Sequence, residues 1–324
     1  MHRGHGPPRA PRVADARVPM PEWTMAIELR SPSAEDYRAC LAETPRTVGT
    51  AVGPIEVAER GRGEPVLVLH GTLGGWDQGL VSAEFLRVNG YRIIAPSRPG
   101  YLGTPLSTGP TFAEQGDARA ALLDTLEIDR IIVFAVSGGG PAAYELAARH
   151  PQRVSRLVQV DGVCIPGPIP RAATQLLATD AVAKAQLWFL THATKRTLTA
   201  LFRVAGSDTK AVAADRAARL AGEPGSTASL EATLRASLGS ARRRQGMKND
   251  FTVFTPAPLE RITCPTLIVH GRSDKTVPPA SAEYAHEHIA GAELHWMDGS
   301  HLAFALEAAD TAPAHVVGWL RGDD

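Results

Sequence analysis

Apolar and polar positions alternate in blocks along most of the chain, and the blocks change period in a regular order. Val66-Leu-Val-Leu-His is a continuous apolar run of the kind that is buried on both faces of a sheet. Further strands are predicted at Tyr91-Arg-Ile-Ile-Ala, 130–136, 154–160, 265–270 and 293–297, and Ile55-Glu-Val-Ala-Glu alternates like an edge strand. Helical spacing appears at 111–127, where Ala120, Leu123 and Leu126 share one side, and again at 138–149, 279–289 and 303–320. Residues 33–43 read as a short helix opened by a Ser33 cap. Strands alternating with helices imply an α/β fold with a mostly parallel sheet covered on both faces. Ligands of such sheets gather at the carboxyl ends of the strands.

The alternation stops at Asp161. After Pro166-Gly-Pro-Ile-Pro, residues 171 to about 260 are rich in Ala, Leu and Arg and read as several helices broken at Gly206, Gly222-Glu-Pro-Gly and Gly246. The domain reading is therefore a core of 31–165 and 261–324 carrying a helical insertion at 166–260, set as a lid over the strand ends. Residues 1–30 are expected to be a disordered N-terminal tail, Pro- and Arg-rich up to residue 22.

Composition narrows the function without choosing it. With 44% hydrophobic and 21% charged residues, the chain can build a sizeable core. Its 34 basic and 34 acidic side chains balance, so no overall field draws in nucleic acid or an anionic membrane, and a small, weakly charged substrate is expected. The oligomeric state stays open. Three scattered cysteines, Cys40, Cys164 and Cys264, form neither a disulfide framework nor a zinc pattern. No apolar run approaches the ~20 residues of a membrane span, and the N-terminal region lacks a secretory signal's apolar middle, so a cytoplasmic location is expected.

The chemistry centres on Ile131-Ile-Val-Phe-Ala-Val-Ser137-Gly-Gly-Gly-Pro, a strand leading through a tight turn into a helix. Such a turn lifts the Ser137 hydroxyl to the tip of the bend, above the N–H groups of the helix start. A serine needs a base to take its proton, and the base needs a carboxylate to orient it. Asp274 and His301 follow the strands at 265–270 and 293–297, and the order Ser137, Asp274, His301 is that of an α/β-hydrolase. The N–H of Gly138 is one expected oxyanion donor. The other lies in His70-Gly-Thr-Leu-Gly-Gly, with Thr72 the choice and Leu73 the alternative.

With these motifs in place, residues 48 to 320 resemble an α/β-hydrolase-fold serine hydrolase. The match runs through His70-Gly-Thr-Leu-Gly-Gly, Ser97-Arg-Pro-Gly-Tyr, Ala135-Val-Ser-Gly-Gly-Gly-Pro, Gly271-Arg-Ser-Asp-Lys-Thr-Val-Pro and Gly299-Ser-His. Trp76-Asp-Gln-Gly is similar to a subgroup with Gly-Gly-aromatic-Asp-Gln-Gly after the oxyanion loop. Ala135 departs from the usual first glycine of Gly-x-Ser-x-Gly, and Ser137 argues against the dehalogenases and epoxide hydrolases that use Asp. The resemblance implies an esterase-like enzyme that needs no metal or organic cofactor. It leaves lactonase, thioesterase, carbon–carbon bond hydrolase, cofactor-free haloperoxidase or perhydrolase, acyltransferase and ligand-sensing protein as alternatives. In some members the acid follows the strand before the lid, which makes Asp161 the backup carboxylate.

Leu73, Asp77, Val136 and Trp188 are candidate pocket residues, with helix capping as the other reading of Asp77. His70 is read as a packed residue shaping the oxyanion loop. Arg242-Arg-Arg is read as a solvated helix face, since no aromatics are interleaved as a nucleic-acid surface would require.

Overall fold

In the computed structural model, residues 29–166, 179–222, 225–306 and 312–322 are described. Eight strands form one sheet: β1 (Arg46–Thr50), β2 (Gly53–Gly61), β3 (Pro65–Leu69), β4 (Arg92–Pro96), β5 (Ile131–Val136), β6 (Val154–Val160), β7 (Thr266–Gly271) and β8 (Glu293–Met297). Their order is β1-β2-β4-β3-β5-β6-β7-β8. β2 pairs antiparallel with β1 and β4, and all other neighbours are parallel.

The apolar runs are central strands because both of their faces find a helical layer. Along β5, Ile131, Val133 and Ala135 pack on one side while Ile132 and Phe134 pack on the other. The first side is covered by α4 (Phe112–Thr125), α5 (Gly140–Arg149) and α11 (Ala280–His288). The second is covered by α1 (Ala34–Leu41), α2 (Trp76–Ser82), α3 (Glu84–Val88) and, near the C-terminus, α13 (Ala312–Arg321). Capping boxes start α1 at Ser33 with Asp36 and α4 at Thr111 with Glu114.

Among the described residues, five helices, α6 (Asp180–His192), α7 (Thr194–Ala205), α8 (Lys210–Gly222), α9 (Ala228–Ala236) and α10 (Arg244–Asp250), lie between β6 and β7 in the chain, and residues 167–178 of the expected lid lie outside the described residues. The first four share a small core, with Leu190, Leu198, Phe202, Ala213, Ala217, Leu220 and Leu230 buried together with Leu306 from after β8, while α10 packs its Met247 against Tyr101. The insertion then meets the loops that follow β3, β4, β7 and β8.

Several details differ from the pattern-based expectation. β2 is not the edge, because β1 pairs outside it. The stretch 76–88 holds two short helices whose few residues carry too little periodicity to be read. Of the closing helix expected at 303–320, the described parts are helical as α12 (Ala303–Leu306) and α13, and 307–311 lie outside the described residues. Gly246 does not break a helix but sits within α10, where an added Cβ would overlap the Tyr101 ring. Glycine is needed there for close approach, and the Gly246 N–H donates to the Gly100 carbonyl at 2.8 Å. The expected tail lies outside the described residues except at 29–30, where the Arg30 N–H donates to Asn89 Oδ1 and Asn89 Nδ2 donates back to the Arg30 carbonyl.

Candidate active site

Ser137 stands where β5 ends and the helical turn before α5 begins, with φ at 51° in the left-handed region. A non-glycine residue held there is strained by about 1–3 kcal/mol, and only a turn fixed from several sides keeps it so. At Gly139 an added Cβ would overlap the Leu69 carbonyl, so the second small position must be glycine. Ala135 is tolerated at the first because its methyl joins the core under α5.

His301, in the loop after β8, brings Nε2 to 3.0 Å from Ser137 Oγ. Its Nδ1 lies 2.6 Å from Asp274 Oδ2, in the loop after β7. A carboxylate can only accept, so Nδ1 carries the proton and Nε2 is free to take one from the serine. The other oxygen of Asp274 accepts the Thr276 and Val277 N–H groups at 2.7 and 2.9 Å. Burial acts to lower the His301 pKa, but the hydrogen bond to Asp274 and the charges of Asp274 and Asp161 outweigh it and leave the pKa raised.

Across the serine, Gly138 and the loop after β3 come together. A Cβ added to Gly138 would overlap Thr72 Oγ1 and lie 3.0 Å from the Thr72 nitrogen. The loop is pinned by His70, whose ring is fully buried. Its Nε2 accepts the Arg98 N–H at 2.9 Å, so its Nδ1 bears the proton and donates to the Gly71 carbonyl at 2.8 Å. Burial, with Arg98 adding to it, holds the His70 pKa well below the ordinary value, which keeps this neutral tautomer. Ser137, Thr72 and His301 face a cavity of about 330 Å³ whose walls include the apolar side chains of Val136, Phe85, Leu302 and Phe304. A second cavity of about 230 Å³ lies on the far side of Thr72 and Gln78 and is lined by Leu73 and Arg243.

The sequence matches the alpha/beta hydrolase fold family over residues 64–308, most of the chain. The chain belongs to the α/β-hydrolase fold family. An α/β-hydrolase fold protein from Nakamurella multipartita is 36% identical in sequence and superposes with a TM-score of 0.77, covering 87% of this chain and all of that one. The pimeloyl-[acyl-carrier protein] methyl ester esterase of Aromatoleum aromaticum is 29% identical over 235 residues, 69% of this chain and 85% of its own. The 2-hydroxymuconate semialdehyde hydrolase of Pseudomonas sp. strain CF600 is 27% identical over 260 residues, 73% of this chain and 80% of its own. The α/β-hydrolase is thus an enzyme of the hydrolase class with relatives that act on small molecules. No helix among the described residues is long and apolar enough to cross a membrane.

The remaining candidates divide clearly. Asp161 lines the main cavity but does not touch His301 through a hydrogen bond; its Oδ1 accepts the Gly271 N–H at 2.9 Å. Burial raises its pKa to about 7, the nearby Asp274 adding to the rise and His301 opposing it. Asp77 is neither a helix cap nor a free wall residue, because Arg243 Nη2 grips its carboxylate at 2.6 Å. Trp188, expected in the pocket, is 55% exposed and stacks on His192 one turn along α6, away from both cavities.

Two participants escaped the sequence reading. Arg243, read as part of a solvated face, is buried. His270 sits behind the acid with its Nε2 donating to the Val277 carbonyl at 2.9 Å. Asp161, His270 and Asp274 bring one ligand-type atom each within 4.8 Å of one another. Their hydrogen bonds to Gly271, Val277, Thr276 and His301 account for the arrangement as support for the acid. A signal for Arg243 existed in Asp77, an acid beside an apolar buried loop that requires a cation.

Proposed function

We propose that this α/β-hydrolase is a serine hydrolase acting on a carboxylic ester or related acyl compound. The observation that carries the reading is the continuous relay from Ser137 Oγ through His301 to Asp274, at 3.0 and 2.6 Å, opening on an apolar cavity. In the cycle, His301 Nε2 takes the Ser137 proton as the oxygen attacks the carbonyl carbon. The Gly138 and Thr72 N–H groups bind the resulting oxyanion. His301 then protonates the leaving oxygen, the acyl–oxygen bond breaks, and a water deprotonated by His301 hydrolyses the acyl-enzyme. The helical insertion closes the cavity as a lid, with Ser226, Ser229 and Thr233 along its wall.

Carbon–carbon bond hydrolysis is the second reading, favoured by the likeness to the 2-hydroxymuconate semialdehyde hydrolase. Ser137→Ala assayed on p-nitrophenyl esters of graded chain length tests the first. Turnover is expected to fall by ~10⁴-fold or more, with loss of fluorophosphonate labelling. Unchanged turnover in that variant removes Ser137 as the nucleophile, and an active wild type that cleaves vinylogous diketones but no ester selects the second reading.

A further inference from the structure

The donor residue Thr72 sits in a loop that does not hold its own shape. Leu73, directly after it, has φ at 72°, a conformation that a γ-branched L residue adopts only under constraint. Within the loop the restraints are few: the Gly74 N–H reaches the Gly71 carbonyl at 3.2 Å, and His70 holds that same carbonyl from below. On the far side of Leu73, the Trp76 N–H donates to Ser97 Oγ at 3.2 Å, and one side chain of the insertion ties Gly74 and Asp77 together. Arg243 Nη1 donates to the Gly74 carbonyl at 2.8 Å and to Asp77 Oδ1 at 3.1 Å, Nη2 donates to Asp77 Oδ2 at 2.6 Å, and Nε donates to the Leu238 carbonyl at 3.1 Å.

The guanidinium is buried, with 4% of its side chain exposed, so removing its partner would strand a charge. The guanidinium packs closely against Gly75, where an added Cβ would overlap Leu102 Cδ1 and approach Arg243 Nη1 to 2.7 Å. The clamp is itself anchored. Arg243 immediately precedes α10, and Asp250 at the other end of that helix binds Arg98 at 2.7 Å and Tyr101 Oη at 2.6 Å. Arg98 in turn is the residue whose N–H fixes His70. The loop is therefore gripped from both ends by one connected set of buried polar bonds.

From this geometry we infer that Arg243 is a positioning residue for the oxyanion hole: it locks Gly74 and Asp77 so that the strained Leu73 turn aims the Thr72 N–H at the carbonyl bound over Ser137. The inference rests on the serine-hydrolase reading. Its consequence is that the insertion, besides covering the cavity, completes the machinery. A bidentate clamp with two further bonds cannot be replaced by an ammonium, so lysine restores only part of the effect.

The test compares wild type, Arg243→Gln, Arg243→Lys, Asp77→Asn and the double variant Arg243→Gln/Asp77→Asn. Each is measured for kcat and KM on p-nitrophenyl butyrate, affinity for an alkyl trifluoromethyl ketone and melting temperature. Loss of one oxyanion donor costs ~10²–10³ in turnover, and a misaimed donor should cost about 10–100-fold. The expected result is that fall in kcat for Arg243→Gln with KM within about threefold, trifluoromethyl ketone affinity falling in parallel, and partial recovery in Arg243→Lys. The double variant should lose little more than either single one. A lowered melting temperature with kcat and ketone affinity near wild type overturns the inference, as does a kcat loss without loss of ketone affinity. If Arg243→Gln does not fold, Arg243→Lys and Asp77→Asn carry the same comparison. Fluorophosphonate labelling of wild-type Ser137 separates the two layers. An unlabelled wild type defeats the hydrolase reading, whereas a labelled wild type with an indifferent Arg243 defeats only the positioning role.

Discussion

The two sides of Ser137 are held by different kinds of bond. On the acid side, Asp274 is oriented by N–H groups two and three residues further along its own loop, to which the insertion adds backbone pairing, Ser207 N–H to the Ser273 carbonyl and Lys275 N–H to the Ala205 carbonyl, while Arg216 Nη1 donates to the Asp298 carbonyl of the His301 loop at 2.8 Å. On the oxyanion side, the decisive contact is a buried guanidinium that reaches Gly74 across 169 positions of sequence. A side built from local backbone bonds tolerates drift in the insertion. If Arg243 positions the donor as inferred, a side that leans on a distant side chain couples the insertion's sequence to turnover.

The largest effect that separates the sides is expected from Asp274→Asn. An amide at this position can keep one acceptor towards Thr276 and Val277, yet it favours the wrong His301 tautomer by offering its NH₂ to Nδ1. A fall in kcat of about 10⁴-fold is expected with KM little changed. Steady-state kinetics on p-nitrophenyl esters check it, and a loss below tenfold would shift the acid role towards Asp161. The oxyanion side is attacked next by Gly138→Ala. The new methyl overlaps Thr72 Oγ1 and pushes the two donors apart, for an expected loss of about 10²–10³ in kcat. The global fold should survive, because the displaced loop borders a cavity. A variant with wild-type kcat would mean that Thr72 is not the second donor.

This contrast also explains what could be read from sequence. The strands at 66–69 and 131–136 announce themselves because burial on both faces demands uninterrupted apolar residues, as does the centre of 266–271 at Leu267, Ile268 and Val269, while 154–160 is readable from Leu157, Val158 and Val160 despite Ser155, Arg156 and Gln159. Ser137 and Asp274 are marked by their places just after such strands and His301 by its place after the half-buried β8, and the structure brings those three side chains together. Arg243 carries no such mark. It stands among exposed Arg242 and Arg244, and only the approach of Asp77 across the fold distinguishes it. Gly246 misled for a related reason: a glycine kept for contact with Tyr101 looks, in one dimension, the same as a glycine that ends a helix. Trp188 was misplaced because α6 buries Ala183 and Leu190 instead, leaving the largest apolar side chain of that helix outward.

The smallest effect, and the one that probes the acid side most finely, is expected from Asp161→Asn. His301 must be neutral at Nε2 to accept the serine proton, so kcat/KM falls on the acid side as pH drops through the His301 pKa. Burial lowers that pKa, while the Asp274 hydrogen bond and the charges of Asp274 and Asp161 raise it by more. Replacing Asp161 removes one of the two negative charges that favour the imidazolium, so the pKa must fall and the acid limb must move to lower pH. The shift should stay below that caused by Asp274, because Asp161 has no hydrogen bond to the ring. The shape should change too. Burial pushes the Asp161 pKa up to about 7, with His301 and Asp161 acting on each other through their charges, so Asp161 loses its own charge within the assayed pH range. The wild-type limb is then a coupled titration of both groups, broader than a single ionisation, and the variant's limb should sharpen to one. An asparagine oxygen can still accept the Gly271 N–H, which keeps the loop after β7 in place and the maximal rate near wild type. A kcat/KM profile from pH 5 to 9 reads both features, and a limb that stays fixed or moves to higher pH would show that Asp161 does not act on His301 through its charge.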